Sequence, residues 1–184
     1  VSTHAGRGTA WEALIEQHAR RYAATGRAIV LRTPPPVRLL GRLPGGHWRA
    51  VMTADGPPDY AMLIARESLP PVPVLCEAKH NQSGRWPLAQ IHPHQAAALL
   101  RWQQLGGLAA VLLGHAPSAA GYALSWTRLG PLWSRWRAGQ LAGRRAPARS
   151  ASLDEAAMAS LGEAFSWDAG YADALLAAAA RDGI

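Results

Sequence analysis

Two apolar runs with the alternation of β-strands, "DYAMLIA" at 59–65 and "PVLCEAK" at 73–79, carry an aspartate, a glutamate and a lysine. Alternate residues of a strand share a face. Glu77 and Lys79 therefore point one way, while Cys76 and Ala78 point into the opposite layer. Charges in such a setting are costly unless something compensates them. If the strand carrying Asp59 neighbours the one carrying Glu77, the two carboxylates meet, and they repel unless a cation lies between them. Oxygen donors of this kind suit Mg²⁺ or Mn²⁺. A cation held there polarises a phosphate and acidifies a bound water. A lysine on the same face offsets the charge that gathers on the reacting phosphorus centre. Residue types alone leave a second reading open, in which each acid sits near a strand end, solvated or paired with an arginine.

The surrounding pattern places these strands in an α/β domain. Thr9 is a candidate cap for a first helix, whose Trp11, Leu14, Ile15, His18 and Tyr22 share a face, and Gly26 ends it. "RAIVLR" at 27–32 reads as a strand. Three prolines follow, and then "VRLLGRL" and "HWRAVM" flank a Pro-Gly-Gly turn, the pattern of a β-hairpin at about 37–52. The Pro-rich "RESLPPVP" reads as a connection between the two charged strands. Pro93 suits the first turn of a helix ending before Gly106. "LAAVLLG" and "YALSWTRL" read as strands and "PLWSRWRAG" as a short basic helix. From about 138 a basic linker leads into two closing helices, at 153–164 and 168–181. A helix, several strands, then alternating helix and strand describe one domain over 1–184 with a mixed sheet.

Composition narrows the function classes. The chain has 184 residues, 49% of them hydrophobic, which is enough for a sizeable core. Only 17% are charged, which excludes a disordered polyelectrolyte tail. The net charge of +7 favours a polyanionic partner. An arginine- and alanine-rich composition inherited from a GC-rich genome is the competing explanation. A single cysteine, Cys76, excludes a disulfide framework and a cysteine zinc knuckle within the chain. No apolar run reaches the roughly 18 residues of a membrane helix, and the start of the chain lacks a secretory pattern. The expectation is a soluble, cytoplasmic protein.

Several other residues invite a role. Glu12 lies on the first helix and, with Thr9, also matches the S/T-x-x-E capping box. Arg7 and Gly8 stand just before that helix, where backbone N–H groups favour a phosphate. His92 and His94 form an H-x-H pair that suits zinc if a carboxylate joins them, or a helix cap. Arg135, Arg137, Arg144, Arg145 and Arg149, interleaved with Trp133 and Trp136, form either a second DNA-facing surface or a solvated linker over core tryptophans. The hairpin carries Arg38, Arg42 and Arg49 with Trp48, cations for phosphates and a ring for stacking.

The "PD" at 58–59 followed by "EAK" at 77–79 resembles the PD-(D/E)xK nuclease signature. Around it, "GRGTAWEALI" is similar to the opening helix of the RecU family of Holliday-junction resolvases. "LRTPPPVRLL" resembles the strand that leads into that family's stalk, and "LAQIHPHQAAAL" resembles the motif after its E-x-K strand. These motifs run in order from about residue 6 to residue 127. The resemblance implies a restriction-endonuclease-like mixed β-sheet flanked by helices, with the hairpin projecting as a stalk. It implies a Mg²⁺-dependent endonuclease that resolves four-way DNA junctions as a homodimer, with no membrane partner. By the same resemblance Asp59, Glu77 and Gln95 bind the metal, Lys79 stabilises the transition state, and Glu12 is a further candidate. One position departs: the family's metal-binding threonine before the aspartate is Pro58 here. Two other expectations stay beside this one, a restriction- or repair-type duplex endonuclease and a non-catalytic architectural DNA-binding protein.

Overall fold

The computed structural model describes residues 4–143 and 151–184. Its main sheet has six strands in the order β1-β4-β5-β7-β8-β10. These are β1 (Ala28–Arg32), β4 (Tyr60–Arg66), β5 (Leu69–Asn81), β7 (Leu108–His115), β8 (Ala120–Ser125) and β10 (Gly162–Ser166). Every neighbouring pair is antiparallel except β5 and β7, which run parallel. A parallel pair needs a crossover, and α2 (Pro93–Gln104) supplies it.

Period-two alternation divides the core between the two faces of the sheet. Met62, Ile64, Val72, Val74, Cys76 and Leu112 pack under α1 (His4–Ala24) and the last helix, α5 (Ala172–Asp182). Leu75, Val111, Leu113 and Leu124 face the other way, toward α2, α3 (Trp126–Leu141) and α4 (Glu155–Leu161). Trp133 is buried there and donates its indole N–H to the Ile91 carbonyl at 3.1 Å, and Trp136 packs against the same cluster. Trp133 belongs to the core, and Trp136 is partly buried against it. Arg135 is exposed, whereas Arg144, Arg145 and Arg149 lie outside the described residues.

β2 (Val37–Arg42) and β3 (Trp48–Met52) pair only with each other, joined by a 3-10 turn at Pro44–Gly46. Gly45 and Gly46 both adopt positive φ in that turn, which glycine does at little cost. All but one of the strand residues are exposed, so the hairpin projects from the body instead of widening the sheet. Arg42 lies over the Trp48 ring, 5.3 Å from its centroid.

Four local expectations are corrected. The first helix begins at His4, so Thr9 and Glu12 are interior to it and form no capping box, and Arg7 and Gly8 do not precede it. The Arg7 side chain lies outside the described residues. The Pro-rich stretch is strand: β5 starts at Leu69 and includes Pro70, Pro71 and Pro73. Those prolines are tolerated because β7 pairs with β5 only from Val74 onward, so their missing N–H groups break no ladder on that side. Trp126–Leu129 is helix rather than strand. After 138, β9 (Ser152–Asp154) pairs with β6 (Arg85–Pro87), and "GEAFS" becomes β10 on the sheet edge beside β8.

The end of the chain is tied to its beginning. His18 Nε2 lies 2.6 Å from the Trp167 carbonyl, Arg21 donates to the Ala169 carbonyl at 2.7 Å, and the Tyr22 hydroxyl accepts from Ala172 N at 3.1 Å. Gly170 adopts a φ of +88°, and a Cβ there would come within 2.2 Å of that hydroxyl. Gly170→Ala is therefore expected to lower stability by about 1–3 kcal/mol in urea denaturation, from strain and collision together. A loss below about 0.5 kcal/mol would mean that this segment does not depend on the contact.

Candidate active site

Glu77 sits in the middle of the sheet, with β4 on one side and Val111 of β7 paired to it on the other. The antiparallel register joins Tyr60 to Cys76, so one step further along sets Asp59 across from Glu77. Both carboxylates emerge on the α2 side of the sheet, as period two requires. Asp59 accepts the Ala78 backbone N–H on Oδ2 at 2.9 Å, which holds the two strands in step where the ladder ends.

Glu77 is only 1% exposed. Its Oε1 accepts from two donors, Lys79 Nζ at 2.6 Å and Gln95 Nε2 at 2.6 Å. Its Oε2 is buried and has no hydrogen-bond partner among the described residues. Burial pushes the Glu77 carboxyl up to about 7. The Lys79 ammonium opposes that rise, and the Asp59 carboxylate adds to it. A buried carboxylate oxygen with no donor, beside a second carboxylate, fits a hard divalent cation. Asp59 and Glu77 are the residues that would hold it. Among the described residues no group of three or more His, Cys, Asp or Glu side chains is gathered for a metal. His92 and His94 stack on each other, 5.7 Å between centroids, and His94 pairs with Asp55 at 3.3 Å. The zinc reading of this pair therefore finds no ligand set.

The other expected residues are distributed as follows. Gln95 reaches the cluster from the first turn of α2, but its Oε1 already accepts the His92 N–H at 2.9 Å. The side chain presents its N–H₂ to Glu77 at 2.6 Å. Glu12 is paired with Arg32, which also holds Glu16 at 2.8 Å. That cluster ties α1 to the end of β1. Pro58 offers no side-chain oxygen, and its carbonyl accepts the Thr33 hydroxyl. Arg38, Arg42, Arg49 and Trp48 are on the hairpin, away from the carboxylates in the fold but reached through the short segment 53–58. Sequence reasoning overlooked Thr33 and Arg32. The signal for Arg32 was present in its i, i+2 spacing from Val30 on the strand before the prolines, but its partners lie on another element.

A family model described as Recombination protein U matches residues 6–146. No curated protein matches the chain. Ten chains of solved structures match. One is the 1.6 Å structure of Hjc from Archaeoglobus fulgidus, described as a Holliday junction resolvase from an archaeal hyperthermophile. It shares 14% identity, over 79% of this chain and 89% of that chain, with a TM-score of 0.43. The fold rests on the strand order above and not on that likeness.

The raised Glu77 carboxyl has a consequence for stability. Between the ordinary carboxyl value of 4.5 and about 7, the folded protein keeps a proton that the unfolded chain has released. Stability of the metal-free protein must fall as pH rises through that window. Glu77→Gln removes the effect. In urea denaturation with a chelator present, the wild type should lose on the order of 2–3 kcal/mol more than the variant between pH 4.5 and 8. Parallel pH dependences for the two proteins would remove Glu77 as the source.

Proposed function

Because the chain belongs to the RecU family, it is a nuclease of Holliday junctions, and we propose that it resolves them by Mg²⁺-dependent hydrolysis at Asp59, Glu77 and Lys79. The observation that carries this reading is the buried, unpartnered Oε2 of Glu77 beside Asp59. Mn²⁺ suits the same oxygens. A bound divalent cation supplies charge to the scissile phosphate and acidifies the attacking water.

The chain's own residues do the rest. Asp59 and Glu77 give the site its negative charge, and the Ala78 N–H keeps Asp59 in register with its partner. Lys79 is drawn toward Glu77 and is largely shielded, with 17% of its side chain exposed. Its ammonium stands ready to offset charge developing on the phosphate oxygens, and a cation in a partly dry site is worth more there than in water.

A four-way junction presents two symmetry-related strands for cutting, so a two-fold dimer with two sites suits it. Ile29 and Leu31 of the edge strand β1 and Leu63 of β4 are exposed, with Ile29 paired directly to Leu63. An apolar strip on an edge strand is a ready surface for a second copy. The projecting hairpin favours a junction over a duplex, because an open junction has a centre that a projection can enter. Arg38, Arg42, Arg49 and Trp48 would meet DNA there, and the exposed Arg135 would add to the positive field. No described helix is long and apolar enough to cross a membrane, and DNA in the cytoplasm is the proposed place of action.

Asp59→Asn and Glu77→Gln should each abolish Mg²⁺-dependent cutting of a synthetic mobile junction while band-shift binding persists. Lys79→Ala should slow single-turnover cleavage by roughly 10²–10³ at saturating metal. Near wild-type cutting by any one of the three would take that residue out of the site.

Replacing 38–50 with a short Gly-Ser turn should lower junction affinity far more than duplex affinity. Size-exclusion chromatography of the same sample separates this from loss of the dimer. A shortened dimer that binds and cuts junctions as before would move junction selectivity elsewhere.

A further inference from the structure

The catalytic cluster lies at one end of the main sheet. β4 begins there, β5 and β7 end there, and the ladder between β5 and β7 closes at Asn81 and His115. The same end holds, on the α1 side, a cavity of about 370 Å³ that the site described above does not use. Trp11, His80 and Trp167 wall it, and the exposed Ala10, Gln82 and Ala116 line its mouth. Lys79 and His80 are consecutive on β5, so they point to opposite faces of the strand. Their Cα atoms are only about 3.8 Å apart. One stretch of strand thus carries the ammonium of the proposed cutting site on one side and a wall of the cavity on the other.

The rings are set in place before any ligand arrives. Trp11 and His80 are nearly parallel, 21° apart with centroids at 6.3 Å, and Trp167 is tilted against both at 5.7 and 6.3 Å. The Trp11 indole N–H donates to the Leu112 carbonyl at 3.4 Å, and its ring lies so close to Gly114 that a Cβ there would come within 2.7 Å. None of the described residues lining the cavity is an Asp, Glu, Lys or Arg. The lining therefore suits a flat, neutral group and not a phosphate. Gln82 adds an amide at the mouth, donor and acceptor both. Aromatic rings stack on the π-face of any base. The chain belongs to a nuclease family that acts on Holliday junctions, and a base at a disrupted step is the least costly to take out of its stack. We propose that this cavity takes one nucleobase from the strand being cut, within about three nucleotides of the scissile phosphate, a reach of roughly 10 Å of strand. The strand passes round the end of β5, with its phosphate at Lys79 and the base against Trp11 and His80. This rests on the reading of Asp59, Glu77 and Lys79 as the cutting site.

Photocrosslinking in a chelator, with the full chain bound to a synthetic junction, tests this directly. 5-Iodouracil, which couples to aromatic side chains that it stacks on, replaces one base at a time along the strand that is cut. Mass spectrometry should find one position, within that reach of the cut, joined to Trp11, His80 or Trp167. Crosslinks confined to other residues, or none at any position, overturn the proposal, including the case in which residues before Ala10 fill the cavity themselves. Ala116→Phe then closes the mouth from an exposed position. It should abolish the crosslink and weaken junction binding roughly 10-fold, with the thermal midpoint and the Mn²⁺ affinity measured by calorimetry unchanged. His80→Ala removes a wall instead of filling the space, and it should weaken binding to a similar degree should Ala116→Phe fail to fold. A folded variant of either kind that binds the junction as tightly as wild type sinks the proposal. Failure of the cutting-site reading looks different: Asp59→Asn would then cut at a near wild-type rate, whereas the crosslink is read without metal and does not depend on cutting.

Discussion

A carboxylate buried on a central strand is the constraint around which the rest is arranged. Glu77 has strands on both sides and helices over its face, so water cannot stabilise its charge. Two devices answer that cost, an ammonium two residues along the same strand and an amide from the start of α2, while the neighbouring Asp59 carboxylate adds to it. The parallel pairing of β5 with β7 matters here because it requires a crossover, and the crossover helix brings its N-terminal turn to the carboxylate. Had those two strands formed a hairpin, no helix N-terminus would stand beside Glu77, and Gln95 would have no route to it.

The same logic explains why charge accumulates where packing would forbid it. Leu75 and Glu77 share a face of β5, yet Leu75 meets α2 side chains in the core and Glu77 meets polar atoms. The boundary between core and site falls within two residues of one strand. Across the sheet, Cys76 and Val74 lie wholly in the apolar layer, so the opposite face gives the strand the rigidity that the polar face lacks.

Much of this was legible in the sequence, for identifiable reasons. Asp59, Glu77 and Lys79 could be read because period two is a property of any strand and the E-x-K spacing puts both side chains on one face. The hairpin could be read because Pro-Gly-Gly between two strand-like runs has few other conformations. What resisted reading depended on long-range pairing. "GEAFS" carries no strong strand signal, and it becomes β10 only because β8 offers it an edge. The prolines of β5 argued for a loop, and they are strand only because the neighbour on one side starts later. The orientation of the Gln95 amide needed the position of the helix start, since the same residue one turn further along would have no N–H to accept. The start of α1 was misjudged because Thr9 is a good cap in isolation and the helix continues through it.

The ties between α1 and the segment 167–172 set an order in time. His18 and Trp167 are 149 positions apart in the chain and 2.6 Å apart in space. At a synthesis rate of 5–20 residues per second, the ribosome needs roughly 8–30 s to pass from one to the other. For that interval the apolar face of α1, with Trp11, Ile15 and Tyr22, has no Tyr171 or Leu175 to cover it. The nascent chain thus carries strands β4 and β5 with their carboxylates well before the layer beneath them is complete. The segment after β10 finishes the floor under the chemistry, so the site becomes rigid only once that segment has emerged.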